Sequence, residues 1–412
     1  MNTTHQSPGN RFSHRYTPQI AGYLLLLLIV LTSGWLQLIP IALSQSPASG
    51  NRVGLKFQEV APGIEYEQTT AGTVSKDETT GPWFINALRI DLNRATIKIV
   101  RALDAGVGTE TVSSLAARYR AAAAINGGYF RTTGTYRGES IGLVLLDGKL
   151  ISEPYNDRAE FGVINNGKTT QIIFGHLGYV GELSLGPAKH KVNGLNRPVS
   201  KDELIVFTPE FHRTTLTKPE GIEVVVRKNR VVSIADFTGS TQIPFDGYVI
   251  SAVGSAREWV KRHVRRGGPM KFSWRLNSLH TESDNQKWRS ANNILGAGPQ
   301  LIKDGKIDIT DKQEKMIAGF ATDRHPRTAL AQLDSGKILL VTVDGRQPGV
   351  SVGMSLQALA ELLMEFGAVA AINLDGGGST TMVVHNKVVN KPSDQSGERP
   401  VSDAILVFSK PK

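Results

Sequence analysis

Twice along this chain a helical stretch feeds a short apolar strand that carries Ile-Asn and runs into a glycine loop. The first copy is Ala121-Ala122-Ala123-Ala124-Ile125-Asn126-Gly127-Gly128, behind a short helix through Leu115, Ala116 and Tyr119 that Ser113 or Ser114 can cap. The second is Ala370-Ala371-Ile372-Asn373-Leu374-Asp375-Gly376-Gly377-Gly378-Ser379-Thr380-Thr381. It follows a helix capped by Ser355, with Leu356, Leu359, Ala360, Leu363 and Phe366 on one face and Gly367 at its end. The repeated plan predicts that the two strands are neighbours and that their glycine loops face one site.

The second loop carries the more specific chemistry. Three consecutive glycines let a backbone turn with φ > 0 or approach a ligand closely. Successive exposed amides can form an anion-binding concavity, and Asp375 adds a carboxylate at a strand end. A plain glycine turn whose amides Asp375 caps fits the same residues. A P-loop is excluded, because no Lys follows the glycines.

Elsewhere the strongest signals are hairpins. Asp147-Gly148, Asn166-Gly167, Lys228-Asn229, Asp304-Gly305 and Asn386-Lys387 each separate apolar runs, as tight turns between paired strands do. Residues 84–92 and 95–100 predict a further hairpin about Asn93-Arg94, and residues 328–333 and 338–343 another. The fold class is mixed α/β (α+β): a hairpin-rich mixed sheet with a few packed helices, preceded by an N-terminal membrane segment.

That segment spans residues 20–43, after Arg11, His14 and Arg15. It is long enough to span a bilayer, and Ala42-Leu43-Ser44 resembles a cleavage site. Residues 1–44 are therefore a signal peptide or membrane anchor, and 45–54 a linker. The basic flank places the rest outside the cytoplasm, whether secreted, periplasmic or anchored. Residues 55–112 read as an N-terminal β region and 113–410 as a catalytic domain. The chain has no cysteine, which excludes disulfides, thiolate zinc sites and cysteine nucleophiles. Its formal charge of +10 suits an anionic partner; no nucleic-acid motif accompanies it, so nucleic acid is not expected.

Nine scattered histidines show no metal-ligand spacing, and no Gly-x-Ser-x-Gly elbow is present. Polar residues at strand ends are the candidates: Asn126, Arg327, Asp344, Arg346, Gln347, Asn373, Asp375, Ser379, Thr380, Arg399, Ser402 and Asp403. Arginine offers a planar fork that matches phosphate oxygens. Carboxylates supply a base, a nucleophile or a metal ligand.

In this order the chain carries Ile125-Asn126-Gly127-Gly128-Tyr129-Phe130, Gly298-Pro299-Gln300-Leu301-Ile302-Lys303-Asp304-Gly305 and Arg327-Thr328-Ala329. Asp344-Gly345-Arg346-Gln347, then Asn373-Leu374-Asp375-Gly376-Gly377-Gly378-Ser379-Thr380, then Arg399-Pro400-Val401-Ser402-Asp403 follow. The set resembles the phosphodiester glycosidase family over residues 121–410, with weaker similarity back to residue 55. The cysteine-rich extensions of the family's animal member are absent. The resemblance implies hydrolysis of a sugar-1-phosphodiester at its glycosidic bond, in an envelope or extracellular glycan.

On that chemistry Arg327 and Arg346, with the amides of Gly127, Gly128, Gly376, Gly377 and Gly378, would hold the phosphate. Stabilising charge that develops in the transition state is often the largest catalytic term. Asp375 is the first choice for base or nucleophile and Asp344 the second, with Glu139 or Asp403 as general acid. No cofactor is required; a divalent cation (Ca or Mg) held by Asp375 and Asp344 would instead make a P–O-cleaving phosphodiesterase. A non-catalytic envelope glycan-binding module is the other alternative.

Overall fold

The strands flanking the turns at Asp147-Gly148, Asn166-Gly167, Lys228-Asn229, Asp304-Gly305 and Asn386-Lys387 pair as hairpins in the computed structural model of the protein, which describes residues 56–72, 81–166, 169–282 and 284–411. Val144–Leu146 pairs with Lys149–Ser152, Ala159–Asn165 with Thr170–Leu185, and Ile222–Arg227 with Arg230–Asp236. Gln300–Lys303 pairs with Lys306–Ile307, and Met382–Val384 with Lys387–Val388. Asp147, Lys228, Asn229, Asp304, His385 and Asn386 all take positive φ at these turns.

The expected hairpin over 84–100 does not form. The turn after Asp91 sends Ala95–Arg101 into a different sheet from Trp83–Ile90. Trp83–Ile90 joins an eight-stranded sheet, antiparallel to Ile338–Val343. Next in that sheet come Arg327–Leu333, Ala368–Asn373 and Gln300–Lys303. Ala95–Arg101 edges a five-stranded sheet beside Asp403–Ser409, which pairs in turn with Ala123–Asn126. Hydrogen bonding therefore crosses the sequence boundary at 112/113 in both sheets, and residues 52–412 form one unit.

Leu88, Leu340, Leu330 and Ile372 stand in one row across four strands and are buried. They join Ile125 and Ile405 of the five-stranded sheet and Phe161 and Leu295 of a seven-stranded sheet in one core. Truncating any one of them to Ala costs about 2–5 kcal/mol. The helix Leu356–Glu365 covers the other face of the eight-stranded sheet through Leu356, Leu359 and Leu363. The helix Val112–Tyr119 covers the five-stranded sheet. Its cap is Thr111, two residues ahead of the first expected serine; the Thr111 side chain accepts from Ser114 N.

A second five-stranded sheet, from Gly194–Leu195 to Arg230–Asp236, packs on the helix Ser255–His263. The hairpin-rich α+β architecture is as the turn chemistry predicts. The apolar run of residues 20–43 lies outside the described residues; among those described, no helix is long and apolar enough to cross a membrane.

Candidate active site

The strands Ala123–Asn126 and Ala368–Asn373, expected to be neighbours, belong to different sheets. Their loops nevertheless meet, because both strands end at the same edge of the shared core. Asn126 Nδ2 donates to the Asp375 carbonyl over 2.6 Å, and Asp375 N donates to the Gly127 carbonyl over 3.0 Å. Asn126 Oδ1 accepts from Thr328 Oγ1 and from Thr381 N. Thr328 Oγ1 also reaches Thr380 Oγ1 at 3.3 Å. A buried amide thus makes three hydrogen bonds that bind the end of one sheet to the end of the other.

Asp375 itself is half-buried. Burial pushes its carboxyl up to about 7; the Ser379 hydroxyl and Arg399 hold it down, and the Asp403 charge adds to the rise. A carboxyl that titrates near neutrality is poised for proton transfer. Asp403 is deeper and buried. Its Oδ1 accepts from Gly128 N at 2.7 Å and its Oδ2 from Ser402 Oγ at 2.6 Å. A Cβ at Gly127 would stand 2.1 Å from Asp403 Oδ1, so this carboxylate braces the first glycine loop from beneath.

Two guanidinium groups crowd the second glycine loop. Gly377 sits at φ +59, and a Cβ there would meet Arg346 Nη2 at 3.2 Å. A Cβ at Gly378 would stand 2.2 Å from Arg399 Nη2 and 2.1 Å from Asp394 Oδ1. The run lacks side chains because cationic groups lie where they would be. Gly376 lies against the Pro326 carbonyl, which accepts from Gly377 N at 2.9 Å. Arg399 is held bidentately by Asp394 at 2.7 and 2.9 Å, and its Nη1 stands 3.5 Å from Ser379 Oγ. Arg346 is exposed and reaches His325 Nδ1 at 3.3 Å. Burial, then Arg327 and Arg346, hold the His325 ring below its ordinary range, so it stays neutral.

Arg327 stands elsewhere than its position at a strand start suggests. Its Nε donates to the Met354 carbonyl, and its Nη2 to those of Phe320 and Asp323, each at 2.8 Å. It is 2% exposed, and burial lowers its pKa to about 10. Most of its fork therefore pins the segments around 320–323 and 354. Asp344 is likewise buried in a protein-made cradle: Oδ1 accepts from Asn390 Nδ2 and Oδ2 from Lys391 N. Burial raises it to about 6, with those donors opposing. Gln347 Nε2 donates to the Lys391 carbonyl on the same turn.

Glu139 pairs with Arg131 beside Glu153 and Arg197, around a small cavity of about 30 Å³. Burial raises it to about 7, Arg131 lowers it and Glu153 raises it further. The structure thus groups Asp375, Asp403, Asn126, Ser379, Thr380, Ser402 and the glycine loops with Arg346 and Arg399. Asp344, Gln347 and Glu139 have partners of their own. Among the described residues, no group of three or more His, Asp or Glu is arranged to hold a metal ion.

Tyr129, which follows the first glycine loop, had no assigned role in the sequence. Its hydroxyl donates to the Gly298 carbonyl at 2.7 Å and accepts from Asn373 Nδ2 at 2.9 Å. Asn373 Oδ1 is buried with no partner among the described residues. Asp394 and His325 were also missed. Asp394 could have been suspected from its opposite charge five residues before Arg399; no local pattern marks His325.

Residues 220–408 match the family model for phosphodiester glycosidase, a stretch that begins after the first glycine loop. Over 122 residues the chain is 32% identical to the uncharacterized SPbeta prophage-derived protein YomE of Bacillus subtilis strain 168, covering 29% of this chain and 18% of that protein. Over 110 residues it is 36% identical to the N-acetylglucosamine-1-phosphodiester alpha-N-acetylglucosaminidase of Bos taurus, covering 24% of this chain and 20% of that enzyme. The matched stretches thus span only 18% and 20% of those relatives' lengths. A hypothetical protein from Synechocystis shares the fold with a TM-score of 0.73 at 25% identity, over 86% of this chain and 64% of that one. A protein from Burkholderia pseudomallei K96243 does so with a TM-score of 0.75 at 23% identity, over 86% and 97%.

Proposed function

We propose, from the phosphodiester glycosidase match over residues 220–408 and the residues gathered at Asp375, that the protein hydrolyses sugar-1-phosphodiesters at the glycosidic bond. The observation that carries the reading is the placement of a carboxyl titrating near 7 beside a glycine run flanked by Arg346 and Arg399. Arg346 and Arg399, with the amide of Gly378, hold the phosphate. Arg327 supports the surrounding segments rather than the ligand, since it is buried with Nε and Nη2 on carbonyls, whereas Arg399 is only half-buried.

In this reading ionised Asp375 takes a proton from water as the oxygen attacks the anomeric carbon, or attacks that carbon itself to form a glycosyl ester that water then hydrolyses. The C1–O bond breaks, and its electron pair leaves on the phosphate oxygen. Products are the free sugar and a phosphomonoester. A phosphate leaving group is already anionic and needs less protonation than an alcohol, so two arginines can replace much of a general acid.

The apolar run at 20–43, with its basic flank, supports export, and hence an envelope or extracellular glycan as substrate. A panel of sugar-1-phosphodiesters and wall polymers, with product identification, tests the reading. Free sugar plus phosphomonoester from at least one is expected. Binding without turnover of any member would make the protein a glycan-binding module instead.

A further inference from the structure

Behind the candidate site a buried carboxylate and two histidines stand in line. Glu314 is fully buried, and both its oxygens accept hydrogen bonds. Oε1 takes them from Gln300 N at 2.9 Å, from Thr310 Oγ1 and from His176 Nε2 at 3.2 Å; Oε2 takes one from Ala159 N at 3.1 Å. Four donors converge on its two oxygens, the arrangement a carboxylate accepts. His176 is 1% exposed, and its Nδ1 stands 2.9 Å from Nε2 of His280. With His176 Nε2–H committed to Glu314, the neutral ring accepts at Nδ1, so His280 donates from Nε2 and turns Nδ1 outward. His280 lines a cleft of about 650 Å³.

Glu314 is also packed on the site. Gly298 holds φ +92, and a Cβ there would meet Glu314 Oε2 at 2.1 Å. The Gly298 carbonyl accepts from both Tyr129 Oη and Asn373 Nδ2, and Gly298 N donates to the Asn373 carbonyl. Gln300 N and Ala159 N, both held by Glu314, fix the turn from its other side.

We propose that Glu314 is a positioning residue for the Asp375 site, acting through the Gly298 turn, and that His176 and His280 are its proton path to the cleft. A proton taken up at His280 Nδ1 releases the Nε2 proton to His176 Nδ1. The charge then lies on His176, paired with buried Glu314, and the turn is held by an ion pair instead of a neutral donor. No other atom is exchanged. His280 faces Asp284, Lys287, Lys303, Asp304 and Asp308. Burial and His176 lower its pKa, with Lys303 acting in the same sense and the acidic groups against it. On the inner side Glu160, fully buried, is pushed well above its ordinary value by burial.

The kinetic arm of the test rests on the reaction proposed at Asp375; the spectroscopic arm does not. Ring-nitrogen NMR of the full chain is recorded between about pH 5 and 8, the range in which histidine titrates. The His176 Nδ1 signal is expected to move in step with His280, and His280→Ala to abolish that movement. Independent titration of the two rings, or an unchanged His176 signal in His280→Ala, overturns the proton path. Glu314→Gln is expected to lower kcat about tenfold with little change in KM, the scale of a lost supporting contact. Folded Glu314→Gln with unchanged kcat and pH profile overturns the positioning role. Should that variant not fold, the pH profile of His280→Ala decides: a moved limb supports the relay, an unmoved one overturns it. If the wild type turns over no phosphodiester, the proposed function falls while the ring titration still decides the relay.

Discussion

Asn126 donates its side-chain amide to the main-chain carbonyl of Asp375 across 2.6 Å, and so joins the ends of two sheets that share no strand pairing. Two loops 249 residues apart in sequence are held as one surface by this amide and by the Asp375 N to Gly127 carbonyl bond. Asn126→Asp keeps the acceptor oxygen and loses the donor. It also places a second carboxylate against the Asp375 backbone. We expect a stability loss of about 1–3 kcal/mol, the cost of a buried unpaired group, with turnover reduced further than the folded fraction. Urea unfolding beside single-turnover kinetics separates the two effects.

Gly378→Ala puts a methyl group where Arg399 and Asp394 now lie. Either that ion pair moves or the loop does. Since Arg399 faces the glycine run, the expected result is a higher KM on a phosphodiester, with stability changed by only about 1 kcal/mol. An unchanged KM would remove Arg399 from the phosphate site.

Arg327→Lys keeps the charge but cannot reproduce bonds to three carbonyls. Because the group is buried, the loss should appear first in stability, at about 2–4 kcal/mol. Activity should fall with it as the segments around 320–323 and 354 loosen. A variant of normal melting temperature and low turnover would return Arg327 to the ligand.

The contrast between Arg327 and Asp375 shows what the sequence could carry. Asp375 was legible because an apolar strand, an acid and three glycines are adjacent in the chain, and local geometry follows from local sequence. The hairpins were legible for the same reason. At Arg327 the local signal was an arginine starting a strand; whether its fork meets ligand or carbonyls depends on where residues 320, 323 and 354 return. The partners of Asp344, Asn390 and Lys391, were likewise illegible, since they lie more than forty positions on. The pairing of glycine with guanidinium at Gly377 and Gly378 is a tertiary fact with no sequence period. Strand neighbours failed for Ala123–Asn126 and Ala368–Asn373 because a repeated local plan does not fix which sheet each copy enters.

Asp375→Asn makes a prediction of opposite sign for stability and activity. The folded protein raises this carboxyl from an ordinary 3.8 to about 7, so the native state binds the proton more tightly than the unfolded chain. The stability it contributes is full below the ordinary value and is lost as pH rises through about 7. Asparagine removes the charge, so the variant should be more stable than wild type above that pH, by about 1–3 kcal/mol, and equal to it in acid. Turnover should fall about 100-fold or more, the scale of general acid–base catalysis. Wild-type activity should rise as pH increases through about 7, where the base becomes ionised. Thermal melts and kcat against pH check both halves.

The position of bond cleavage tests the central claim most directly. Hydrolysis of a sugar-1-phosphodiester in oxygen-18 water, followed by mass spectrometry of both products, reads it without reference to any residue. Attack at the anomeric carbon predicts label in the sugar and none in the phosphomonoester. Label in the phosphomonoester would mean P–O cleavage, and would contradict a glycosidase acting through Asp375.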